Sequence, residues 1–376
     1  MGVRAYLFET RGEGRMLGEV SPAAATWTEN ANQAETVTAV FDLESIAGER
    51  NWRSDGTPWK HSLALDVNGR LLGGPILPHA ADGGSTRITA RGGRVLFSTR
   101  SILPVTAMPP RSLVLPSGDP DPALDSTWTG FDLGTIAKKI GQQACTFPGT
   151  DYPIVWHADR LGTHGRTYAA VDKKKVDAAW NDLSRVENGP DIRLRLERNG
   201  DAAFRWRFET GTQDQPRLQG TDVIDFDIAQ TSGLEVSLDP SLMGSLAWAQ
   251  GGRSVDKVLI KALYDPTLID LGFPFLELDS DVSLNTVEEA TLDSANAETL
   301  RTAAKPWEFW SFKVPANQSP YPYEYGPGSL IKVHVSKDTP IRGGYVPPGD
   351  YTRRIASLSG DLTDWITITC GESYDE

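Results

Sequence analysis

Cysteine is almost missing from this chain: Cys145 and Cys370 are the two among 376 residues. Neither stands in a CxxC pair or another metal-ligand spacing. This excludes a disulfide framework or a zinc module as the basis of the fold and predicts two free, buried thiols. Long apolar runs are also lacking. No stretch approaches the ~18–20 residues of a membrane span, and the opening MGVRAYLFET has no apolar segment of the kind a secretory leader needs. The expectation is a chain folded in a cytoplasm, without a membrane span. Positive charge is in deficit, with 37 Lys and Arg against 50 Asp and Glu, a formal charge of −13 and a pI near 4.9. Proteins that grip DNA or an anionic membrane are usually basic, so a dedicated nucleic-acid reader is disfavoured.

The usual signatures of catalysis are missing too. There is no GxSxG elbow, no GxxxxGK[ST] phosphate loop, no GxGxxG after a strand and no HExxH. His157 and His164 lie in WHADRLGTHG with no carboxylate at a spacing that completes a metal site, which reads as surface-loop histidines. The acidic run from Asp279 imitates a calcium loop but has Leu284 where glycine is wanted and Ala290 where the bidentate glutamate is wanted. Asp119, Asp121 and Asp125 lie in a Pro-rich segment and read as a solvated loop. Carboxylate pairs for glycoside cleavage are set in space, so sequence spacing does not test them. The expectation is a structural or binding protein with no catalytic residue, cofactor or metal.

What is present is turn chemistry and alternation. Gly (36) and Pro (25) are plentiful, which points to a β-rich chain. Val37, Ala39, Phe41 and Leu43 share one strand face. Asn68-Gly69 predicts a two-residue hairpin turn that sets Leu65 opposite Leu72. Gly92-Gly93 predicts a second hairpin, with Ile88 opposite Phe97 and Ala90 opposite Val95. The Pro-rich segment 101–128 reads as an extended connection. A helix is predicted over FDLGTIAKKIGQQAC, and another over VDKKKVDAAWNDLSRV, stopped by Glu187-Asn188-Gly189-Pro190.

The stretch DIRLRLERNGDAAFRWRFE, from Asp191 to Glu209, carries five arginines and three aromatics on one hairpin. A two-residue Asn199-Gly200 turn would scramble its apolar and charged faces. An odd loop, most simply Asn199-Gly200-Asp201, pairs Leu196 with Phe204, Leu194 with Trp206 and Ile192 with Phe208, and turns the aromatics toward the preceding helix. That register sets Arg195 opposite Arg205 and Arg193 opposite Arg207, like charges that destabilise each other. Asp191 and Glu209 would pair at the open end, with Glu197 beside Arg195. Three uses of this face stay open: a solvated charged surface, contact with an acidic neighbouring subunit through Arg193, Arg195, Arg205 and Arg207, or nucleic acid.

Beyond it, VIDFDIA, LEVSLD, SLAWAQGG and DKVLIKAL read as strands. TVEEATLDSANAETLRTAA reads as a helix with a Thr286/Glu289 capping box, and KPWEFWSFKV as an aromatic strand. SLIKVHVS, YTRRIASLSG and DWITITCG close the chain, the last two as a hairpin.

The order of these pieces resembles minor tail proteins of the baseplate-hub (tail-tip) type from long-tailed, siphovirus-type phages of actinobacteria. The likeness lies in the meander ending GRLLGGPIL, and in AWNDLSRVENGPDIRLRL with the strands up to SLAWAQGG. It continues in DPTLIDLGFPFLE before the helix, and in YGPGSLIKVHV with YTRRIASLSGDLTDWITITCG. Ser329 departs from the aspartate that such proteins often carry, at the expected loss of a turn hydrogen bond.

The resemblance implies a mainly β (α+β) fold in four parts. These are an N-terminal barrel-like domain (1–110), a helix–hairpin domain (111–220), strands plus the capped helix (221–315) and a C-terminal barrel-like domain (316–376). It implies a homotrimeric ring at the virion's tail tip, assembled in the host cytoplasm. Its partners would be the distal tail protein ring, the tape measure protein and other minor tail proteins. DNA would pass through an acidic lumen without specific binding. The end at Glu376, directly after the last strand, predicts no lysin or sugar-binding extension. Alternatives are a hexameric distal tail protein, a tail-associated cell-wall hydrolase, and a host-carbohydrate-binding module using KPWEFWSF and PYPYEY.

Overall fold

The structure, a computed structural model, describes residues 3–43, 51–108, 112–186, 188–220, 222–227, 231–254, 257–280, 282, 289–304, 307–336 and 345–373. It is mainly β. Among the described residues, thirteen strands form one sheet. Its order runs Ser232–Asp239, Trp307–Pro315, Trp365–Ser373, Gly349–Asp361, Ala24–Asn30, Thr36–Asp42, Ser85–Arg91, Arg70–Ala81, His61–Val67, Arg4–Glu9 and Met16–Val20. Leu330–Val335 joins through Gly349–Asp361 and carries Ile224–Asp227 in parallel.

The two ends of the chain therefore meet in the middle of the sheet. Ser357–Asp361 runs antiparallel to Thr26–Asn30. One core follows from this pairing: Trp27, Val37, Ala39, Phe41 and Ile88 pack together with Phe312, Ile355, Leu358 and Ile368. The alternation read from residues 37 to 41 is this core face. The Asn68-Gly69 turn also holds, with Leu65 opposite Leu72 and both turn residues at positive φ, as a two-residue hairpin turn of this kind requires. The terminal hairpin closes as expected, Gly360 pairing with Ile366.

A second core belongs to the helix–hairpin unit. Leu133–Ala144 is a helix capped by the Asp132 carboxylate, which accepts from the Thr135 amide at 2.6 Å. Ile136, Ala137 and Ile140 face Trp180, whose indole N–H donates to the Ala137 carbonyl at 2.8 Å. The strand Arg4–Glu9 lies between the two cores. Ala5 and Leu7 enter the first, Tyr6 and Phe8 the second, which explains an unbroken apolar run where a one-sided strand would alternate.

Two expectations change. The Gly92-Gly93 hairpin does not form: the strand ends at Arg91 and Val95–Ser98 is a helical turn. Ile88 and Ala90 pair instead with Ala39 and Val37. These glycines serve close approach. A Cβ on Gly92 would lie 1.8 Å from Glu35 Oε2, and one on Gly93 would lie 2.8 Å from Trp206. The second helix is shorter than its pattern, Val176–Ser184, because Lys173 takes a left-handed conformation after a single 3-10 turn. The later helix runs Glu289–Ala303; Thr286, and with it the capping box, lies outside the described residues.

Residues 246–303 build a smaller unit. Leu246–Ser254 is flanked by Lys257–Tyr264 (antiparallel) and Glu277–Ser280 (parallel), and the Glu289–Ala303 helix covers one face.

Candidate assembly surfaces

The arginine hairpin keeps the expected faces in a different register. Leu194, Leu196, Phe204, Trp206 and Phe208 are buried and pack toward Trp180, Trp180 and Phe208 lying 5.2 Å apart between ring centres. The partners, however, are Leu194 with Phe208, Leu196 with Trp206 and Ile192 with Thr210, a shift of two from the expected pairs. The turn is still odd and still three residues, moved one position on to Gly200-Asp201-Ala202, and closed where the Asn199 amide donates to the Ala203 carbonyl at 2.8 Å. A shift of two preserves which face each side chain takes, so face patterning alone does not detect it.

The shift reorganises the charges. Arg193 now faces Glu209 and Arg205 faces Glu197, leaving Arg195 opposite Arg207 as the like-charged pair on this face. Glu209 accepts from Arg193 at 2.7 Å and Arg195 at 3.1 Å. Glu197 accepts from Arg205 at 2.6 Å and Arg207 at 2.9 Å. Partial burial opposes ionisation of Glu197, but the hydrogen bonds from Arg207 and Arg205 outweigh it and hold its carboxyl below the ordinary range. Four guanidinium groups share two carboxylates, so the face stays positive in an acidic protein.

Asp191 does not pair with Glu209. It is buried and ties three parts of the chain together. Its carboxylate accepts from Asn32 at 2.9 Å, from the Leu218 amide at 2.7 Å and from Arg354. Asn32 in turn accepts from the Ile192 amide at 2.8 Å. Nearby, the buried Arg94 donates to Asp177 and Asn181, both at 2.8 Å, and to the Ile192 carbonyl at 3.2 Å. Nothing in the local sequence marks Asp191 or Arg94, because their partners lie far along the chain. Glu35 sits beside them, buried. Burial, and then the neighbouring Glu29 carboxylate, push its carboxyl up to about 8.

The remaining candidates are structural in placement. His157 stacks on Phe208, with Nε2 3.1 Å from Thr210 Oγ1 and Nδ1 2.7 Å from the Ala158 carbonyl oxygen; burial lowers its pKa. His164 begins the strand His164–Tyr168, and partial burial lowers its pKa too. Among the described residues, no group of three or more His, Cys, Asp or Glu could hold a metal ion. Asp121 caps a 3-10 turn and Asp125 accepts from the Ala170 amide at 2.9 Å. Of the aromatic clusters, Trp310, Phe312 and Tyr325 are core, while Tyr321 and Tyr323 stack 5.6 Å apart with Tyr323 exposed. Ser329 makes a turn hydrogen bond of its own, its hydroxyl accepting from the Gly326 amide at 3.1 Å.

No helix among the described residues is long and apolar enough to cross a membrane. No protein-family model matches the chain, and no curated protein sequence matches it either. Solved structures do match along nearly its whole length. The 43 kDa tail protein of prophage MuSo2 from Shewanella oneidensis is 10% identical with a TM-score of 0.55, over 98% of this chain and 97% of its own. A tail protein from Neisseria meningitidis MC58 is 11% identical with a TM-score of 0.52, over 99% and 97%. Prophage tail protein gp18 from Listeria monocytogenes EGD-e is 10% identical with a TM-score of 0.50, over 99% and 95%. At such identities the likeness is one of fold, and the chain has the fold of these phage tail proteins.

Proposed function

We propose that this chain is a structural protein of the phage tail tip, a baseplate hub. In this reading three copies form a ring that continues or closes the tail tube of a siphovirus-type actinobacteriophage. The ring organises host attachment and lets DNA pass. The carrying observation is the sheet junction: strands from the two ends of the chain stand side by side through Ser357–Asp361 and Thr26–Asn30. Two β units per chain, barrel-like and spanning 1–110 and 316–376, let three chains present six units to a sixfold tube above. The part 111–220 would sit on the flank; of the part 221–315, Ile224–Asp227, Ser232–Asp239 and Trp307–Pro315 pair within the main sheet, so only the smaller unit at 246–303 would join it there. A ring with a negative lumen, drawn from the charge of −13, repels DNA phosphates and keeps the genome from sticking.

The neighbours in this reading are the distal tail protein ring, the tape measure protein and other minor tail proteins, in a virion. The role is non-catalytic. Electron microscopy of the purified assembly tests it: threefold symmetry is expected, and sixfold symmetry would favour the distal tail protein. Zymography on host peptidoglycan should stay blank, and clearing would favour a cell-wall hydrolase.

A further inference from the structure

The small unit at 246–303 has one covered sheet face and one open face. Ala247 and Ala249 are fully buried on the covered side, where Ser280 Oγ lies 2.7 Å from Asn296 Oδ1 of the covering helix. The open side carries Trp248, Val258, Ile260, Tyr264 and the adjoining Phe275, each 37–54% exposed. Register places them together: Trp248 stands beside Ala262, Gln250 beside Ile260 and Leu246 beside Tyr264. Tyr264 and Phe275 stack 6.3 Å apart. An apolar face of this breadth on a three-stranded sheet is the mark of an interaction site.

Its border is acidic. Glu277 and Asp279 pair with Leu246 and Trp248 in the parallel strand and so project on the open side, both exposed. Glu277 already accepts from the Trp248 indole at 2.9 Å. Asp270 is exposed at the end of the helical turn Thr267–Asp270, before the segment that leads to Phe275.

We infer that this open sheet face receives the arginine hairpin face of a second copy of the chain, an inference that rests on the ring reading. The hairpin face supplies the complement. Arg193, Arg195, Arg205 and Arg207 have side chains 29%, 50%, 33% and 37% exposed, and among the described residues Glu197 and Glu209 are their ion-pair partners. A guanidinium stacks on Trp, Tyr and Phe faces while its N–H edge reaches a bordering carboxylate, which is what aromatics rimmed by Glu277 and Asp279 offer. The two faces are different surfaces of one chain, so the contact is head-to-tail and closes into a ring when the rotation allows.

The test is a charge swap read by sedimentation velocity. Arg195→Glu with Arg205→Glu alters the hairpin but leaves each carboxylate one guanidinium, Arg193 for Glu209 and Arg207 for Glu197. Glu277→Lys with Asp279→Lys alters the sheet. Ile260→Asp is a third variant, at an exposed position where the monomer loses no core. Each should keep its thermal unfolding and weaken self-association at least about a hundredfold. Combining the two charge-reversed pairs should restore association. If the wild type stays monomeric, the ring reading fails and this inference with it. If the wild type forms trimers that none of the variants weakens, this inference alone fails. If both charge variants dissociate but their combination does not recover, the two faces do not meet each other and the inference is overturned.

Discussion

Asp191 and Arg354, separated by 163 positions in sequence, form a buried ion pair between the arginine hairpin and the C-terminal sheet. Removing one partner leaves the other charged in a place without water. Asp191→Ala should cost about 3–5 kcal/mol, and Asp191→Leu with Arg354→Met should cost less than either single change. Urea midpoints of Asp191→Ala, Asp191→Leu, Arg354→Met and the double variant check this order.

Glu35 gives the fold a pH dependence. Its carboxyl keeps its proton in the folded state up to about 8, against 4.5 ordinarily, because burial and then Glu29 oppose the charge. The unfolded chain releases that proton earlier. Stability therefore falls as pH rises from about 4.5 to about 8, by on the order of a few kcal/mol, and levels off above. Glu35→Gln should flatten this slope, measured as the difference in urea midpoint between pH 5 and pH 8.

Gly93 and Gly83 should respond oppositely to alanine. A Cβ at Gly93 meets Trp206 at 2.8 Å, whereas Gly83 has nothing within 4 Å. Gly93→Ala should destabilise by about 1–3 kcal/mol through overpacking. Gly83→Ala should be neutral or stabilise by up to about 1 kcal/mol by restricting the unfolded chain. Thermal unfolding separates them.

Both thiols should be inert in the native protein. Burial pushes Cys145 and Cys370 up to about 12, so at pH 8 the reactive thiolate is a minute fraction of each. Iodoacetamide should label neither at pH 8 in the native state and both in urea, read by mass spectrometry. Fast native labelling of Cys370 would show that its sheet opens readily.

The sequence by itself determined the mainly β class, the Asn68-Gly69 turn with its register, the Leu133–Ala144 helix and the faces of the arginine hairpin. Each depends on neighbours within about a dozen residues, where periodicity and turn chemistry act. Tertiary structure decided the rest. Gly92 and Gly93 looked like a turn, but packing against Glu35 and Trp206 is what needs them bare. The hairpin register moved by two because alternation is unchanged by an even shift, and a loop placed one residue further on brings Arg193 to Glu209 and Arg205 to Glu197. Asp191 read as an end-of-strand partner for Glu209, yet its partners Asn32, Leu218 and Arg354 come from three distant parts of the chain. The open face at Trp248 and Ile260 was equally hidden. Alternation tells which residues share a face, and only the placement of the Glu289–Ala303 helix decides which of the two faces is covered.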